Sequence, residues 1–493
     1  MFCGIDLGTT GIRSIVVDSE GSIILNIQYS IPHDILYKGC ENLPANWHEQ
    51  NPMSWRDKFY EVLRSIIKEI VNLGRSLDEV RAICTDSTSG TILPVDDRGR
   101  PLANAIMYND LRAQEETQKI QEVAIDFSQK VGYKFNASFS LPKILWIKKH
   151  FPIIFEKTHK FLHANDFLIG ELLSDDYYYS DSSNCLKAGY DFIDEEWPSF
   201  IEHDLSLDLA KMPKVVAPGK IVGKTSEKLE KLTGFPSGIL VLGGATDSTM
   251  ALIASGASNY GDIFSSLGTT LVPRVLTREL IRDPKGRVYC HIFPGKKRMY
   301  LPGGASSVGA ECLQAYFPNI NYQFYDQQAL NYFPTDSITY PLVKKGERFP
   351  FVNPNAEHFY QGPQENEFQK YTTYLQAVAF VERLSLAVLE NLGADVKDRV
   401  FTIGGGTKSL PWLQIRADVL QKTVYRPKII EAAYGAAILA ASTVLYDEDL
   451  TAAVQKFVKP DLIVNPRIEL KEKIEKRYNE FLFQLKTRFQ FQM

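Results

Sequence analysis

The chain has 493 residues, 44% of them hydrophobic and 23% charged, with a formal net charge of −4 at pH 7; one hydrophobic core rarely serves that length, so two domains of about 200 to 250 residues are expected. No polybasic run points to a nucleic-acid partner, and the first apolar run starts at Phe2 with no basic stretch before it and is broken by Asp6, so neither a signal peptide nor a spanning helix is expected and a cytoplasmic protein is. The cysteines (Cys3, Cys40, Cys84, Cys185, Cys290, Cys312) form no CxxC pair and no HExxH occurs, which argues for reduced, buried thiols and against a disulfide framework or a structural zinc.

In chain order, FCGIDLG, GIRSIVVDS and SIILNIQYSI read as three strands, separated by a Gly-Thr turn and by the turn Ser19 to Ser22. A helix is expected from Met53 to Leu73, where Phe59, Val62, Leu63, Ile66, Ile67 and Ile70 recur at three and four, followed by a strand from Val80 to Cys84. Strands mixed with amphipathic helices indicate an α/β domain. After a central region of helices and loops the pattern restarts near Gly238 with GILVLGG, the helix-like DSTMALIASGA and the strand pair DIFSSLGTTLVPRVLT. The domain boundary is therefore placed near residue 240, giving a first domain at 1–240, a second at 241–446 and a helical extension at 447–493. That extension holds no glycine and carries the charged amphipathic run LKEKIEKRYNEFLFQLKTRF, expected to pack as a terminal helix on the second domain.

The tetrapeptide LGTT occurs twice, at Leu7 and at Leu267. A Gly-Thr turn between strands offers unobstructed backbone N–H groups and hydroxyls, which suits a phosphate. A single such turn would be read as a tight hairpin; one in each of two similar units points to two phosphate loops. Asp6 ends the first strand, where a carboxylate either bonds turn amides or holds a hydrated Mg²⁺, an ion that takes few protein carboxylates. The run FTIGGGTKSLPWLQIRADVL passes from a strand through Gly404, Gly405 and Gly406 into a helix, a loop able to cap a nucleotide but lacking GxGxxG spacing. EAAYGAAILAA reads as a closely packed, Ala-rich helix.

Taken together, GIDLGTTGIRSIVVD, GGATDSTMALIASGA, SSLGTTLV, GGGTKSLPWLQIRADVL and EAAYGAAILAA resemble, in order and spacing, the signature segments of the FGGY carbohydrate kinases, from residue 4 to about residue 443. The resemblance implies an α/β fold of two ribonuclease H-like domains of the actin, Hsp70 and sugar kinase type, hinged around a catalytic cleft. It also implies ATP bound mainly by the second domain and sugar mainly by the first. Within the family, the runs Asp86 to Thr91, Ser180 to Asp191 and Gly346 to Asn355 look closest to the D-ribulokinase, xylulokinase-like branch. Bacterial xylulokinases carry Met-His before the glycine where this chain has Thr88-Ser89-Gly90, and glycerol kinases carry Arg-Glu there.

On that resemblance Asp247 is the catalytic base, although an Asp opening the run STMALIASG would also serve as a helix N-cap. Gly8, Thr9, Thr10, Gly268 and Thr269 are implied as phosphate contacts. Gly309, Gly405, Gly406 and Ser409 are implied as nucleotide contacts, and Asp6, Thr88, Ser89, Thr246 and Asp247 as sugar contacts, with Asp6 facing Mg²⁺ through water. Asp166 is assigned a structural role. The expected activity is transfer of the γ-phosphoryl group of ATP to the terminal hydroxyl of a ketopentose, D-ribulose before D-xylulose. Sugar and ATP are the expected partners, with neither nucleic acid nor membrane, and a homodimer is allowed but not required. An actin-like ATPase would use both phosphate turns without a sugar site, and a catalytically dead regulator is disfavoured by the intact Asp6 and Asp247.

Overall fold

The duplicated strand–turn–strand pattern corresponds to two separate sheets in the computed structural model, which describes residues 1–174, 178–363 and 366–491. One compact unit comprises Met1–Ala254, Pro294–Arg298 and Glu431–Phe457; the other comprises Ser255–Phe293, Met299–Ile430 and the chain from Val458 onward. Each has its own hydrophobic core.

The first unit is built on a six-stranded mixed sheet. Its strands are β1 (Phe2–Leu7), β2 (Gly11–Val17), β3 (Ile23–Ser30), β4 (Ala82–Ser87), β5 (Ile221–Lys224) and β6 (Leu240–Thr246), in the order β5-β6-β4-β1-β2-β3. β1, β2 and β3 form an antiparallel meander, and β4 and β6 lie parallel to β1 and to each other respectively. β1 and β4 are buried along nearly their whole length, as parallel central strands must be when helices cover them. One helix, Pro52–Asn72, is capped by Asn51, whose side chain accepts from the Met53 N–H, and buries Trp55, Phe59, Val62, Leu63, Ile66 and Ile70 on one side. Against β1 and β4 lies the Ala-rich helix Ala432–Leu445. Small residues permit this approach: a Cβ on Gly4 would meet the Ala433 carbonyl oxygen at 1.9 Å, and one on Gly435 would meet that of Met250 at 2.0 Å.

The second unit repeats the plan with β7 (Ile263–Leu267), β8 (Leu271–Val275), β9 (Tyr289–Phe293), β10 (Met299–Gly303), β11 (Arg399–Ile403), β12 (Thr423–Pro427) and β13 (Pro460–Val464). The order is β9-β10-β8-β7-β11-β12-β13, with β7 and β8 antiparallel around the second Gly-Thr turn and β11 and β12 continuing in parallel. The long helix Glu367–Asn391 and the helix Leu410–Leu420 pack on one another and supply much of its core.

The division differs from the boundaries expected from sequence. GILVLGG does not open the second unit: β6 pairs in parallel with β4 and completes the first sheet, and the first unit runs on through Ala254 and regains the chain at Glu431. Asp247 therefore stands in the first unit. Apolar periodicity identifies a strand but not the sheet it joins. Nor is the terminal extension wholly helical. Leu450–Phe457 is a helix of the first unit, Pro460–Val464 is an edge strand of the second sheet, and only Lys471–Phe489 is the expected terminal helix, burying Ile474, Tyr478, Phe481 and Leu485. Residues 492–493 of that extension lie outside the described residues. Among the described residues no helix is long and apolar enough to cross a membrane.

Candidate active site

In the first unit, three acidic residues lie at the same end of neighbouring parallel strands. The register sets Asp6 of β1 beside Asp86 of β4 and Asp86 beside Ala245 of β6, so that Asp247, two residues on, follows at the same edge. Asp86 is fully buried, and no protein donor reaches either of its oxygens. Asp6 stands beside it in register, and the two carboxyls can bond only with a proton on one of them. Burial, followed by the charges of Asp6, Asp247 and Asp181, pushes the Asp86 pKa well up, so the proton resides there. Burial also raises Asp6, opposed by the bond from Asp86 and by Arg13. Arg13 is itself 3.0 Å from Glu431.

Asp247 opens the helix Asp247–Ser255 and is half-buried. Its Oδ1 accepts from the N–H of its neighbour Ser248, at 2.6 Å. The cap is supplied by Thr246 instead: its Oγ1 accepts from the Thr249 N–H at 3.4 Å and bonds the Thr249 hydroxyl at 2.9 Å. The two readings of Asp247 thus separate, and the buried Thr246 hydroxyl, expected at the sugar, is engaged at the helix start. Burial and then Asp6 push the Asp247 pKa up to about 6, against the Ser248 N–H and Lys187. The preceding Gly243-Gly244 is a bulge within β6, where the register with β4 shifts, and not a turn. A Cβ on Gly244 would meet the Thr85 carbonyl oxygen at 2.0 Å and the Asn165 side chain at 2.5 Å.

Among the other residues expected at the site, Thr88 is buried with its hydroxyl 3.2 Å from that of Thr91. Ser89 is half-buried and held by Lys187, whose Nζ donates to the Ser89 hydroxyl at 2.8 Å and to its carbonyl at 3.3 Å. In the first Gly-Thr turn, the Gly8 N–H donates to the Gly11 carbonyl at 3.0 Å, the Thr9 carbonyl accepts from Gln50 at 2.8 Å, and Thr10 is exposed. Asp166 is buried and accepts from the His163 main-chain N–H at 2.7 Å, which fits its structural assignment. Sequence reasoning missed Asp86 and Lys187 as members of this group. Asp86 carried the same signal as Asp6, a carboxylate inside an otherwise apolar strand; Lys187 carried none that spacing could read.

In the second unit, Thr269 is exposed at its turn, and the Gly268 carbonyl accepts from the Ala310 N–H at 2.8 Å. Gly309 and Gly404 crowd this turn: a Cβ on Gly309 would meet the Thr269 carbonyl oxygen at 2.3 Å, and one on Gly404, at φ 99°, would meet that of Leu267 at 2.5 Å. Gly309 is thus packed on the turn's backbone. A cavity of about 1040 Å³ opens alongside, lined by Gly405, Gly406 and Ser409 together with Gln314, Asp326, Tyr371 and Trp412. It unites three of the expected nucleotide residues, and a Cβ on Gly405 would meet nothing within 4 Å. Ser409 Oγ caps the helix Leu410–Leu420 by accepting from the Trp412 N–H at 3.2 Å. Asp326, also missed from sequence, accepts from the Tyr371 hydroxyl at 2.8 Å and is raised in pKa chiefly by burial.

Two repeats of one α/β plan, each with a Gly-Thr turn, an acidic strand edge in one and a nucleotide-sized cavity in the other, define a sugar-kinase type of protein. The model of the FGGY family of carbohydrate kinases, N-terminal domain, matches residues 1–254, and that of the C-terminal domain matches residues 265–444. The chain belongs to the FGGY family of carbohydrate kinases and is an ATP-dependent sugar phosphotransferase. It is 26% identical over 493 residues to the xylulose kinase of Staphylococcus epidermidis, covering 97% of this chain and 95% of that protein, and 26% identical over 490 residues to that of Bacillus subtilis, covering 94% and 93%. The crystal structure of xylulose kinase from Rhodospirillum rubrum superimposes with a TM-score of 0.85 at 23% identity, over 99% of this chain and 98% of that one.

Proposed function

We propose that the enzyme transfers the γ-phosphoryl group of ATP to the terminal hydroxyl of a ketopentose, with D-ribulose preferred. The observation that carries this reading is the sequence just after β4, where Thr88 and Ser89 provide two hydroxyls before Gly90 in place of the Met-His pair that the resemblance gives to xylulokinases. A second reading, D-xylulose, is supported by the names of the curated relatives, which are xylulose kinases.

Asp247 is assigned as the base that takes the proton of the attacking hydroxyl. With a pKa near 6 it is ionised at neutral pH, yet basic enough to accept a proton late in the transfer. Thr88 and Ser89 are assigned to hold the sugar. Gly8, Thr9 and Thr10, with Gly268, Thr269 and Gly309, are assigned to the phosphates, and Gly405, Gly406 and Ser409 to the nucleoside.

The residues present suit Mg²⁺ only as a hydrated ion arriving with the phosphates. Among the described residues no three His, Cys, Asp or Glu side chains stand close enough to hold a metal together, and the half-buried Asp6 would offer a single carboxylate to metal-bound water. When bound, the ion neutralises charge on the phosphate oxygens.

The test is an ATP-coupled screen of pentuloses, hexuloses and polyols. D-ribulose is expected to give the highest kcat/KM; a clearly higher value for D-xylulose or glycerol would overturn the branch assignment while leaving the family intact.

A further inference from the structure

Lys143 lies on the helix Ser140–His150 and is fully buried. Its Nζ donates to three main-chain carbonyls, those of Gly90 at 2.9 Å, Met107 at 2.7 Å and Ser138 at 2.9 Å. An ammonium has three N–H bonds, and each is spent on a different loop. Among the described residues no carboxylate forms an ion pair with it. Asp110, whose charge acts on it, is held by Arg112 through bonds of 2.7 to 3.0 Å, so carbonyl dipoles hold this ammonium. Burial, with Lys187 and Arg112 beside it, pushes the Lys143 pKa well down against Asp110, whereas the three carbonyls favour the ammonium form, because a neutral amine would turn a lone pair toward one of them.

Three backbone carbonyls converging on one point form the kind of oxygen set that replaces the hydration shell of a desolvated monovalent cation. One of them belongs to Gly90, which closes the Thr88-Ser89-Gly90 segment. Gly90 sits at φ 83°, and a Cβ there would meet the Ser138 carbonyl oxygen at 2.9 Å. With Lys187 holding Ser89 and Lys143 holding Gly90, the segment is fixed at both residues.

We propose that the Lys143 ammonium is a built-in monovalent cation that positions the sugar-recognition segment Thr88–Gly90, making Lys143 a positioning residue for the acceptor sugar. Without it, three carbonyl oxygens face one another across an unfilled site and the segment shifts, weakening sugar binding while the nucleotide residues of the other unit are untouched. The inference rests on the reading that Thr88 and Ser89 contact the sugar.

The test uses the full chain and the sugar that the wild type phosphorylates best. Lys143→Ala and Lys143→Met are expected to raise the sugar KM about tenfold or more, a difference of about 1.4 kcal/mol, with the ATP KM within about twofold of wild type. In Lys143→Ala, about 0.1 M ammonium chloride is expected to recover most of that loss, whereas choline chloride at equal ionic strength, too large for the site, does not. Lys143→Gln keeps two N–H donors without the charge and covers the case in which the alanine variant does not fold; it is expected to show a smaller rise in sugar KM. The proposal is overturned if the sugar KM of these variants stays within about twofold of wild type, if sugar and ATP KM rise together, or if choline recovers as much as ammonium. Ser89→Ala separates the two layers of inference. If it leaves the sugar KM unchanged, the segment is not the sugar contact and the proposal falls with that reading; if it raises the KM while the Lys143 variants do not, only the cation's role is lost.

Discussion

At the residue scale the decisive group is Asp247, because the structure assigns the helix cap to Thr246 while the Asp247 carboxyl bonds its neighbour's N–H. Asp247→Asn removes the proposed base but little of the local bonding. The variant is expected to melt close to wild type and to lose on the order of 10² to 10⁴ in kcat. In wild type, kcat/KM should fall tenfold per pH unit below an apparent pKa of about 6, since the base must be ionised to work. The effect on stability follows from the same shift. A carboxyl whose folded pKa lies above its unfolded value binds more protons in the folded state, so its contribution to stability is full below the unfolded pKa and is lost as pH rises toward 6. A pH–rate profile and thermal melts check both. An acid limb near 4, or an Asn variant that keeps more than about a tenth of wild-type turnover, where tenfold is about 1.4 kcal/mol, would remove Asp247 from the mechanism.

At the scale of elements, the Gly-Thr turn of the second unit is carried by strands anchored to a buried ion pair. Arg416 donates to both oxygens of Glu382 at 2.7 Å, to the Thr402 hydroxyl at 2.8 Å and to the Ser265 hydroxyl at 3.1 Å. It thereby ties β7, which enters the turn, and β11, which enters Gly404–Gly406, to the helices Glu367–Asn391 and Leu410–Leu420. Both charged side chains are fully buried. Arg416→Met leaves Glu382 uncompensated and is expected to cost about 3 to 5 kcal/mol, whereas adding Glu382→Leu should recover most of that loss, because a buried pair replaced by apolar groups is often neutral. Urea unfolding of the two variants checks this, and a double variant no more stable than the single one would mean the pair contributes more than charge balance. Sequence reasoning did not pair these two residues, because nothing local tells that helices separated in the chain face one another.

At the scale of the whole molecule, the first unit is discontinuous: its sheet is covered by the helix Ala432–Leu445, and Gly4 admits the Ala433 carbonyl into the space where a Cβ would stand. A fragment ending at Ala254 is therefore expected to lack fixed packing, with weak near-ultraviolet circular dichroism. The same fragment with residues 431–457 linked to it should regain that signal. If the short fragment already showed a native-like spectrum, the returning helix would be dispensable to the first core.

What the sequence by itself determined follows from local chemistry. The strand–turn–strand units around Leu7 and Leu267 and the Gly-rich loop at Gly404–Gly406 are legible, because turns need glycine and strands need apolar runs over a few adjacent residues. Asp6 and Asp247 stood out because a carboxylate beside an apolar run demands an explanation. Tertiary structure alone decided which sheet β6 completes, why the helix after Glu431 returns to the first unit, that Asp86 joins Asp6 and Asp247, and that Lys143 gathers three loops. Each of these is a contact between residues distant in the chain, set by strand register and by the close approach of backbones, and neither leaves a periodic trace in sequence.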